Sequence, residues 1–202
     1  EIGDRITWTT TIGNYCYECY NCTVAEIPHK CLNRKTYGAG ISSEVHPHFT
    51  GGWAQYCYLY PNTAIFKLPK NLPTEALTIT GCAAPTSTHA FERANTSPGD
   101  TIVIQGAGAV GLLSTVLARE SASNKVIVVG GPKHRLEIAK AWGADHTINI
   151  EEHENPSERI EKVKEHTPMG KGADLVIECT GVPDAFPEGV KMLRDGGTYI
   201  VV

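Results

Sequence analysis

The sequence has no long hydrophobic run and no excess of charge of either sign. Its 18 Lys and Arg residues are balanced by 22 Asp and Glu residues among 202, which gives a formal charge of −4. A nucleic-acid-binding surface needs clustered cations, and a membrane-spanning helix needs about 20 consecutive apolar residues. Because the chain offers neither, we predict no nucleic-acid partner and no membrane partner. The hydrophobic fraction of 41% is still ordinary for a globular protein with a buried core.

The chain also lacks an initiating methionine. It begins with Glu1, and it ends at Val202 within an apolar pattern that is typical of a β-strand. We therefore expect a fragment of a longer parent that lacks both ends, and we assign no targeting signal from this sequence.

Three glycines at G-x-G-x-x-G spacing, Gly106, Gly108 and Gly111, form the most informative motif. Aliphatic and β-branched residues at 101–104 predict a buried strand before them, and apolar residues recurring from Val110 predict a helix after them. In a dinucleotide site the first glycine makes a tight turn, the second admits a pyrophosphate, and the third lets the helix pack on the strand. The helix N-terminus then offers N–H groups and a partial positive charge to the phosphates. We therefore predict a dinucleotide site here.

Strand and helix patterns alternate over the second half of the chain. Strands are predicted at residues 101–104, 125–129, 146–150, 175–179 and 198–202, with helical patterns between them. This alternation predicts a Rossmann-type, doubly wound parallel sheet of the α/β class. The first half is turn-rich, which is typical of a mostly-β region. There, the even spacing of Trp53, Cys57 and Leu59 predicts a short strand.

The choice between NAD and NADP stays open in the sequence. In many NAD sites, an acidic residue at the end of the second strand binds the ribose hydroxyls. Here the corresponding stretch is Gly130, Gly131, Pro132, Lys133, His134 and Arg135. Lys133, His134 and Arg135 in this stretch either pair with a 2′-phosphate or form the solvated start of a helix. The cofactor is therefore predicted as NAD(P).

Four cysteines, Cys16, Cys19, Cys22 and Cys31, follow the pattern C-x2-C-x2-C-x8-C. Four thiolates suit a tetrahedral Zn²⁺ with bonds of ~2.3 Å and leave no open coordination position. The pattern thus predicts a structural zinc site. Two disulfides and an iron–sulfur cluster remain as alternatives. On spacing alone, Cys82 is most simply a buried cysteine near a hinge.

Along essentially its whole length the chain resembles a zinc-containing alcohol dehydrogenase of the medium-chain dehydrogenase/reductase family. The resemblance rests on Gly3-Asp4-Arg5, the four cysteines, Gly51-Gly52-Trp53-Ala54, Gly81-Cys82, the glycines from Gly106 to Gly111, Arg135-Leu136-Glu137, Gly143-Ala144-Asp145 and Gly196-Gly197. Within the family, the segments that resemble the phosphonate-catabolism-associated branch are Thr7-Trp8-Thr9, Pro28-His29-Lys30-Cys31 and Tyr60-Pro61-Asn62-Thr63-Ala64-Ile65.

The resemblance implies two domains and a set of site residues. Residues 1–85 would be the C-terminal part of a GroES-like catalytic domain with a zinc lobe, and residues 86–202 an incomplete NAD(P)-binding Rossmann domain. The four cysteines would hold the structural zinc, Cys82 would bind the catalytic zinc, and Thr86 would lie beside the nicotinamide. The residues expected to line the cofactor are Gly106, Gly108, Ala109, Val110, Gly111, Gly130, Arg135, Thr180 and Gly181.

The activity implied by the resemblance is hydride transfer between a small alcohol or carbonyl compound and NAD(P), with zinc polarising the alcohol oxygen. The parent is expected to be a cytoplasmic homo-oligomer. The family's first catalytic cysteine and its Gly-His-Glu segment have no counterpart in this sequence. Because a catalytic zinc needs three protein ligands and Cys82 is one, we expect the fragment itself to be inactive.

Two other functions remain alternatives. A zinc-free quinone or enoyl reductase of the same superfamily would need neither the four cysteines nor Cys82. A non-catalytic NAD(P)-binding or redox-sensing protein would use the cysteine lobe as its sensor. The sequence assigns no substrate.

Overall fold

The computed structural model describes residues 1–13 and 15–202. Over these residues the chain divides into two compact units, Glu1–Gly81 and Cys82–Val202. The division falls before the boundary expected between residues 85 and 86. The reason is that the helix Ala83–Ala94 is continuous and packs against the next helix of the second unit.

Short strands and turns make up the first unit. Its elements are β1 (Ile6–Trp8), β2 (Thr11–Ile12), α1 (Tyr20–Thr23), β3 (Lys35–Thr36) and β4 (Ile65–Lys67), with 3₁₀ turns at Pro28–Lys30 and Glu75–Gly81. β1 pairs with β4 and β2 with β3, both in antiparallel fashion. Ile12 and Cys31 are its buried hydrophobic residues among those described. A unit with so small a core depends on other interactions for its stability.

The strand predicted around Trp53, Cys57 and Leu59 does not form. Trp53 is fully exposed. In this segment the Tyr58 N–H donates a hydrogen bond to the Phe49 carbonyl at 2.7 Å, outside any strand. Alternating side chains make a strand only where a neighbouring strand accepts its backbone hydrogen bonds. No strand pairs with this segment in the described part of the chain, so the prediction was wrong here.

The second unit alternates helices and strands. Its helices are α2 (Ala83–Ala94), α3 (Ala109–Glu120), α4 (Lys133–Ala141), α5 (Pro156–Glu165) and α6 (Ala185–Met192). Its strands are β5 (Thr101–Gln105), β6 (Lys125–Gly130), β7 (His146–Asn149), β8 (Ala173–Glu178) and β9 (Leu193–Val201). They form a parallel sheet in the order β7-β6-β5-β8-β9. The predicted Rossmann-type α/β fold class is confirmed.

Helices cover both faces of this sheet. Ile102 and Ile104 of β5 pack into the layer that includes α2, α3 and α4, whereas Val103 packs into the layer that includes α5 and α6. Every residue of β5 is therefore buried, which explains its continuous apolar sequence. The order of the strands reverses between β5 and β8, and ligands of open α/β sheets bind at the carboxyl edge of such a point. Among the described residues, no helix is both long and apolar enough to cross a membrane.

Candidate functional site

The turn between β5 and α3 accommodates only glycine at two positions. Gly106 has a φ angle of +107°, and a Cβ atom there would lie 3.1 Å from both the Cys179 carbonyl oxygen and Thr180 Cγ2. A Cβ atom on Gly111 would overlap the carbonyl oxygen of Gly106, because the first turn of α3 packs directly on the end of β5. A Cβ atom on Gly108 would meet no atom within 4 Å. The turn is thus tightly packed on one side and open on the other.

The open side of the turn is where α3 begins. Gly108 is the N-cap residue and has no side chain with which to cap the helix. The first N–H groups of a helix lack intrahelical partners, and with the helix dipole they attract an anion. The Ser87 hydroxyl in α2 lies within hydrogen-bond distance of the Val110 carbonyl, at 3.1 Å, and of the Ala83 carbonyl, at 3.0 Å. The backbone at Gly108, Ala109 and Val110 therefore fits a diphosphate.

A buried carboxylate holds the loop that follows β8. Glu178 is 4% exposed, and its Oε1 accepts hydrogen bonds from the N–H groups of Thr180 at 2.5 Å and Gly181 at 2.9 Å. The Thr180 hydroxyl donates to the same oxygen. Thr180 in turn packs against the Gly106 turn. Glu178 was not predicted from the sequence, although a carboxylate at the end of an apolar strand was a usable signal.

A cleft of about 380 Å³ lies at the carboxyl edge of the sheet, beside this loop. Gln105, Gly130, Thr180 and Val182 are among its lining residues. Gln105 is fixed in place, because its Nε2 donates to the Ala185 carbonyl at 3.0 Å and its Oε1 accepts from the Tyr199 hydroxyl at 2.8 Å. One side chain that lines the cleft is therefore held by two hydrogen bonds within the protein.

An internal ion pair closes one wall of the cleft. Arg159 of α5 and Glu188 of α6 have side chains only 11% and 8% exposed. Arg159 Nε and Nη2 donate to the two Glu188 carboxylate oxygens at 2.8 and 2.6 Å. Its Nη1 donates to the carbonyls of His153 and Glu154, both at 2.7 Å. All three nitrogens of the guanidinium are thus engaged within the protein.

Two further predicted site residues lie at the end of β6 and at the start of α4. Gly130 faces the glycine turn, since a Cβ atom there would lie 3.0 Å from the Ala107 backbone nitrogen. Arg135 lies in the first turn of α4 and is exposed, as are Lys133 and His134. Most of the predicted cofactor residues therefore lie near one edge of the sheet, and Arg135 lies on an exposed helix start.

Cys82 and Thr86 lie at the beginning of α2. Cys82 is the N-cap residue and is exposed, not buried as its spacing suggested. Its carbonyl accepts the N–H of half-buried Thr86 at 3.0 Å. Among the described residues, Cys82 belongs to no group of three or more potential metal ligands. Its assignment as a ligand of a catalytic zinc stays a prediction.

The four cysteines of the first unit converge on one point. Their sulfur atoms all lie within 4.8 Å of one another. The Cys19–Cys22 and Cys16–Cys31 pairs are 3.5 Å apart, and the Cys16–Cys22 and Cys19–Cys31 pairs are 3.9 and 4.0 Å apart. A tetrahedron with zinc–sulfur bonds of ~2.3 Å has edges of about 3.8 Å. All four are free thiols, so the disulfide alternative does not describe this structure.

The local environment already separates the protonation of these thiols. A backbone hydrogen bond from Glu18 lowers the pKa of Cys16 to about 6, whereas desolvation raises the pKa of Cys22 to about 12. A shared divalent cation would favour the thiolate form of all four. The donor set and its geometry thus fit a structural Zn²⁺.

Known protein sequences resemble this chain over almost its whole length. The profile of the family described as zinc-binding dehydrogenase matches residues 109–202. The chain is 34% identical over 203 residues to the 5-exo-hydroxycamphor dehydrogenase of Pseudomonas putida. This alignment covers 99% of this chain and 53% of the relative. It is 35% identical over 154 residues to the D-xylulose reductase A of Aspergillus oryzae, which covers 76% of this chain and 42% of the relative. The chain therefore spans about half the length of the curated relatives it matches.

Solved structures show the same relationship. An alcohol dehydrogenase from Thermotoga maritima superposes with a TM-score of 0.91 at 38% identity, over 100% of this chain and 54% of its own. An alcohol dehydrogenase from Thermus sp. ATN1 superposes with a TM-score of 0.78 at 29% identity, over 100% of this chain and 55% of its own. Together with the profile match and the sequence relatives, these likenesses show that the chain belongs to the zinc-type medium-chain dehydrogenase family.

Proposed function

We propose that the whole protein interconverts an alcohol and its carbonyl compound with NAD(P). In this proposal the chain contributes the dinucleotide site, a structural zinc site and one thiolate ligand of a catalytic zinc. The observation that carries the proposal is the open, uncapped start of α3 at Gly108, at the carboxyl edge of a parallel sheet, next to the point where strand order reverses.

The residues of the second unit bind and orient the cofactor. The backbone N–H groups at Gly108, Ala109 and Val110 bind the diphosphate, and Glu178 holds Thr180 and Gly181 in position to line the dinucleotide. When bound, NAD(P)⁺ accepts the hydride, and zinc lowers the pKa of the alcohol that it polarises.

The residues of the first metal site have a different role from Cys82. Cys16, Cys19, Cys22 and Cys31 form a closed four-sulfur set, which leaves no coordination position for a substrate and therefore suits a structural ion. Cys82 supplies one thiolate to the catalytic zinc, and Thr86 lies beside the nicotinamide. The four-sulfur geometry favours this dehydrogenase over the zinc-free reductase alternative, which does not need it.

The setting of the protein follows from the same proposal. The substrate is a small alcohol or carbonyl compound, and the parent is a homo-oligomer in the cytoplasm, where thiols stay reduced and available to zinc. The likeness to the phosphonate-catabolism-associated branch stays a prediction.

Metal analysis and ligand titration of the purified chain test the proposal. We expect one zinc per chain by mass spectrometry, and binding of NAD⁺ or NADP⁺ by isothermal titration calorimetry. We expect no zinc-dependent oxidation of alcohols, because Cys82 stands alone as a catalytic ligand in the described residues. A chain that binds neither zinc nor a dinucleotide would contradict the proposal, and alcohol oxidation by this chain alone would place the active site elsewhere.

A further inference from the structure

The carboxylate that many NAD sites have at the end of the second strand is missing from β6. Such a residue comes about 20 positions after the fingerprint glycines, where this chain has Gly130 and Gly131. At Gly130 a side chain would crowd the glycine turn, since its Cβ atom would lie 3.0 Å from the Ala107 nitrogen. The polypeptide at this point thus supplies no acidic group of its own.

A carboxylate from the neighbouring strand lies at this place instead. A Cβ atom on Gly131 would lie 3.7 Å from the carboxyl carbon of Glu151, and 3.3 Å from Ile150 Cγ1. β6 and β7 run parallel with Gly130 opposite Asn149, so their carboxyl ends are adjacent. Glycine at position 131 therefore leaves the space that the side chains following β7 occupy.

The loop that carries Glu151 is held in this position. The Ile150 N–H donates to the Gly130 carbonyl at 2.9 Å and extends the pairing of the two strands. Asn149 is 8% exposed, and its Oδ1 accepts the Glu151 N–H at 3.0 Å while its Nδ2 donates to Glu152 at 3.2 Å. The N–H groups of Ile150 and Glu151 are thus both bonded within the protein, and the Glu151 side chain is exposed.

Glu151 is not among the residues that line the cleft of about 380 Å³, but its neighbour Ile150 is, and the charges of the cleft favour the same selection. Its lining includes three carboxylates, from Glu154, Asp184 and Glu188, and one guanidinium, from Arg159. Arg159 is bonded to Glu188 and to two carbonyls through all its nitrogens. A phosphate dianion in this cleft would therefore meet uncompensated negative charge, whereas a ribose hydroxyl would meet hydrogen-bond acceptors.

The cations at the start of α4 are the groups that would favour NADP instead. Lys133 lines a separate cavity together with Lys140 and the carboxylates of Glu137 and Glu152. His134 and Arg135 are exposed, as Glu151 is, so solvent and salt screen all three side chains alike. We propose that Glu151, at the end of β7, takes the role of the missing β6 carboxylate and makes the site select NAD over NADP. This inference rests on the dinucleotide site of the proposed function.

Calorimetric titration of the 202-residue chain with NAD⁺ and with NADP⁺ tests the selection without any activity measurement. We expect NAD⁺ to bind more tightly than NADP⁺ by about tenfold, since a carboxylate near a phosphate is strongly unfavourable. Glu151→Gln removes the charge and keeps the shape of the side chain. The ratio of the NADP⁺ to the NAD⁺ dissociation constant should therefore fall to about threefold or less, because NADP⁺ binds more strongly than before. Thermal unfolding should match the unsubstituted chain, because Glu151 is exposed.

Glu120→Gln is the matched control. It makes the same chemical change at the exposed end of α3, at the edge of the sheet away from the cleft, and should leave the ratio unchanged. The inference is overturned if the ratio does not respond to Glu151→Gln, or if the chain prefers NADP⁺ and Arg135→Ala abolishes that preference. Binding of neither dinucleotide would overturn the proposed function, and this inference with it.

Discussion

At the scale of single residues, the glycines of the β5–α3 turn have separable roles. Gly111 lies where a methyl group would overlap the Gly106 carbonyl, so its role is to let α3 pack on β5. Gly108 has a φ angle of −81°, which any residue adopts, and a methyl group there would meet no protein atom. Its role lies in the approach of a ligand to the backbone and not in the fold.

Alanine substitutions at these two positions should therefore give opposite results. Gly111→Ala is expected to lower the free energy of unfolding by about 1–3 kcal/mol or more, because the backbone must move to relieve the overlap. Gly108→Ala should change it by less than about 0.5 kcal/mol but weaken dinucleotide binding by on the order of tenfold. Urea denaturation and calorimetric titration of both variants measure these effects. Equal loss of stability in the two variants would contradict the assignment of a packing role to Gly111 and a ligand-binding role to Gly108.

At the scale of secondary-structure elements, one carboxylate joins three strands at the amino end of the sheet. Asp174 of β8 accepts the Thr101 N–H of β5 at 2.7 Å and Arg194 Nε of β9 at 2.6 Å. Desolvation raises the pKa of Asp174, but these two hydrogen bonds and the charge of Arg194 outweigh it, and the pKa lies below its ordinary value of 3.8. The ionised form of Asp174 is therefore the one that the folded sheet favours.

This shift gives the stability a defined pH dependence. A carboxylate whose pKa is lower in the folded state contributes stability that is complete well above pH 3.8 and lost as the pH falls through the folded-state pKa. Asp174→Asn should lower the free energy of unfolding by about 1–2 kcal/mol at pH 7, and the difference from the unsubstituted chain should shrink below pH 4. Urea denaturation at several pH values measures it. Asp195→Asn, at an exposed neighbouring carboxylate, is the control, and a pH-independent difference would contradict the assignment.

At the scale of the whole molecule, the two units are stabilised by different means. The second unit has two hydrophobic layers around its sheet. The first has Ile12 and Cys31 as its buried hydrophobic residues in the described part of the chain, and its four convergent thiols lie in the same unit. Structural zinc in small domains contributes apparent binding energies of about 10–16 kcal/mol, which act as folding energy. In the proposed zinc-bound form, the metal would therefore stabilise the first unit more than its core does.

Removal of zinc should thus affect the two units differently. With a strong chelator, amides around residues 16–31 should lose hydrogen-exchange protection, while those of β5 and β6 keep theirs, because their burial does not involve the metal. Cys31→Ser should reproduce this loss without chelator. Cys57→Ser, at a cysteine outside the four-sulfur set, should leave the exchange pattern unchanged. Simultaneous loss of protection in β5 and in residues 16–31 would contradict separate stabilisation.

The sequence by itself determined the features that depend on neighbours along the chain. The strand–turn–helix of β5 and α3, the alternation that builds the parallel sheet, and the spacing that brings four thiols together all follow from local rules of periodicity, backbone freedom and ligand spacing. Only the tertiary structure decided the rest. Glu178 holds the Thr180 loop, and Glu151 approaches Gly131 from the next strand, because parallel pairing brings distant segments to one edge. The residues after Trp53 have a strand's alternation but no partner strand among residues 1–13 and 15–202. Pairing with a distant segment is a condition that spacing along the chain does not contain.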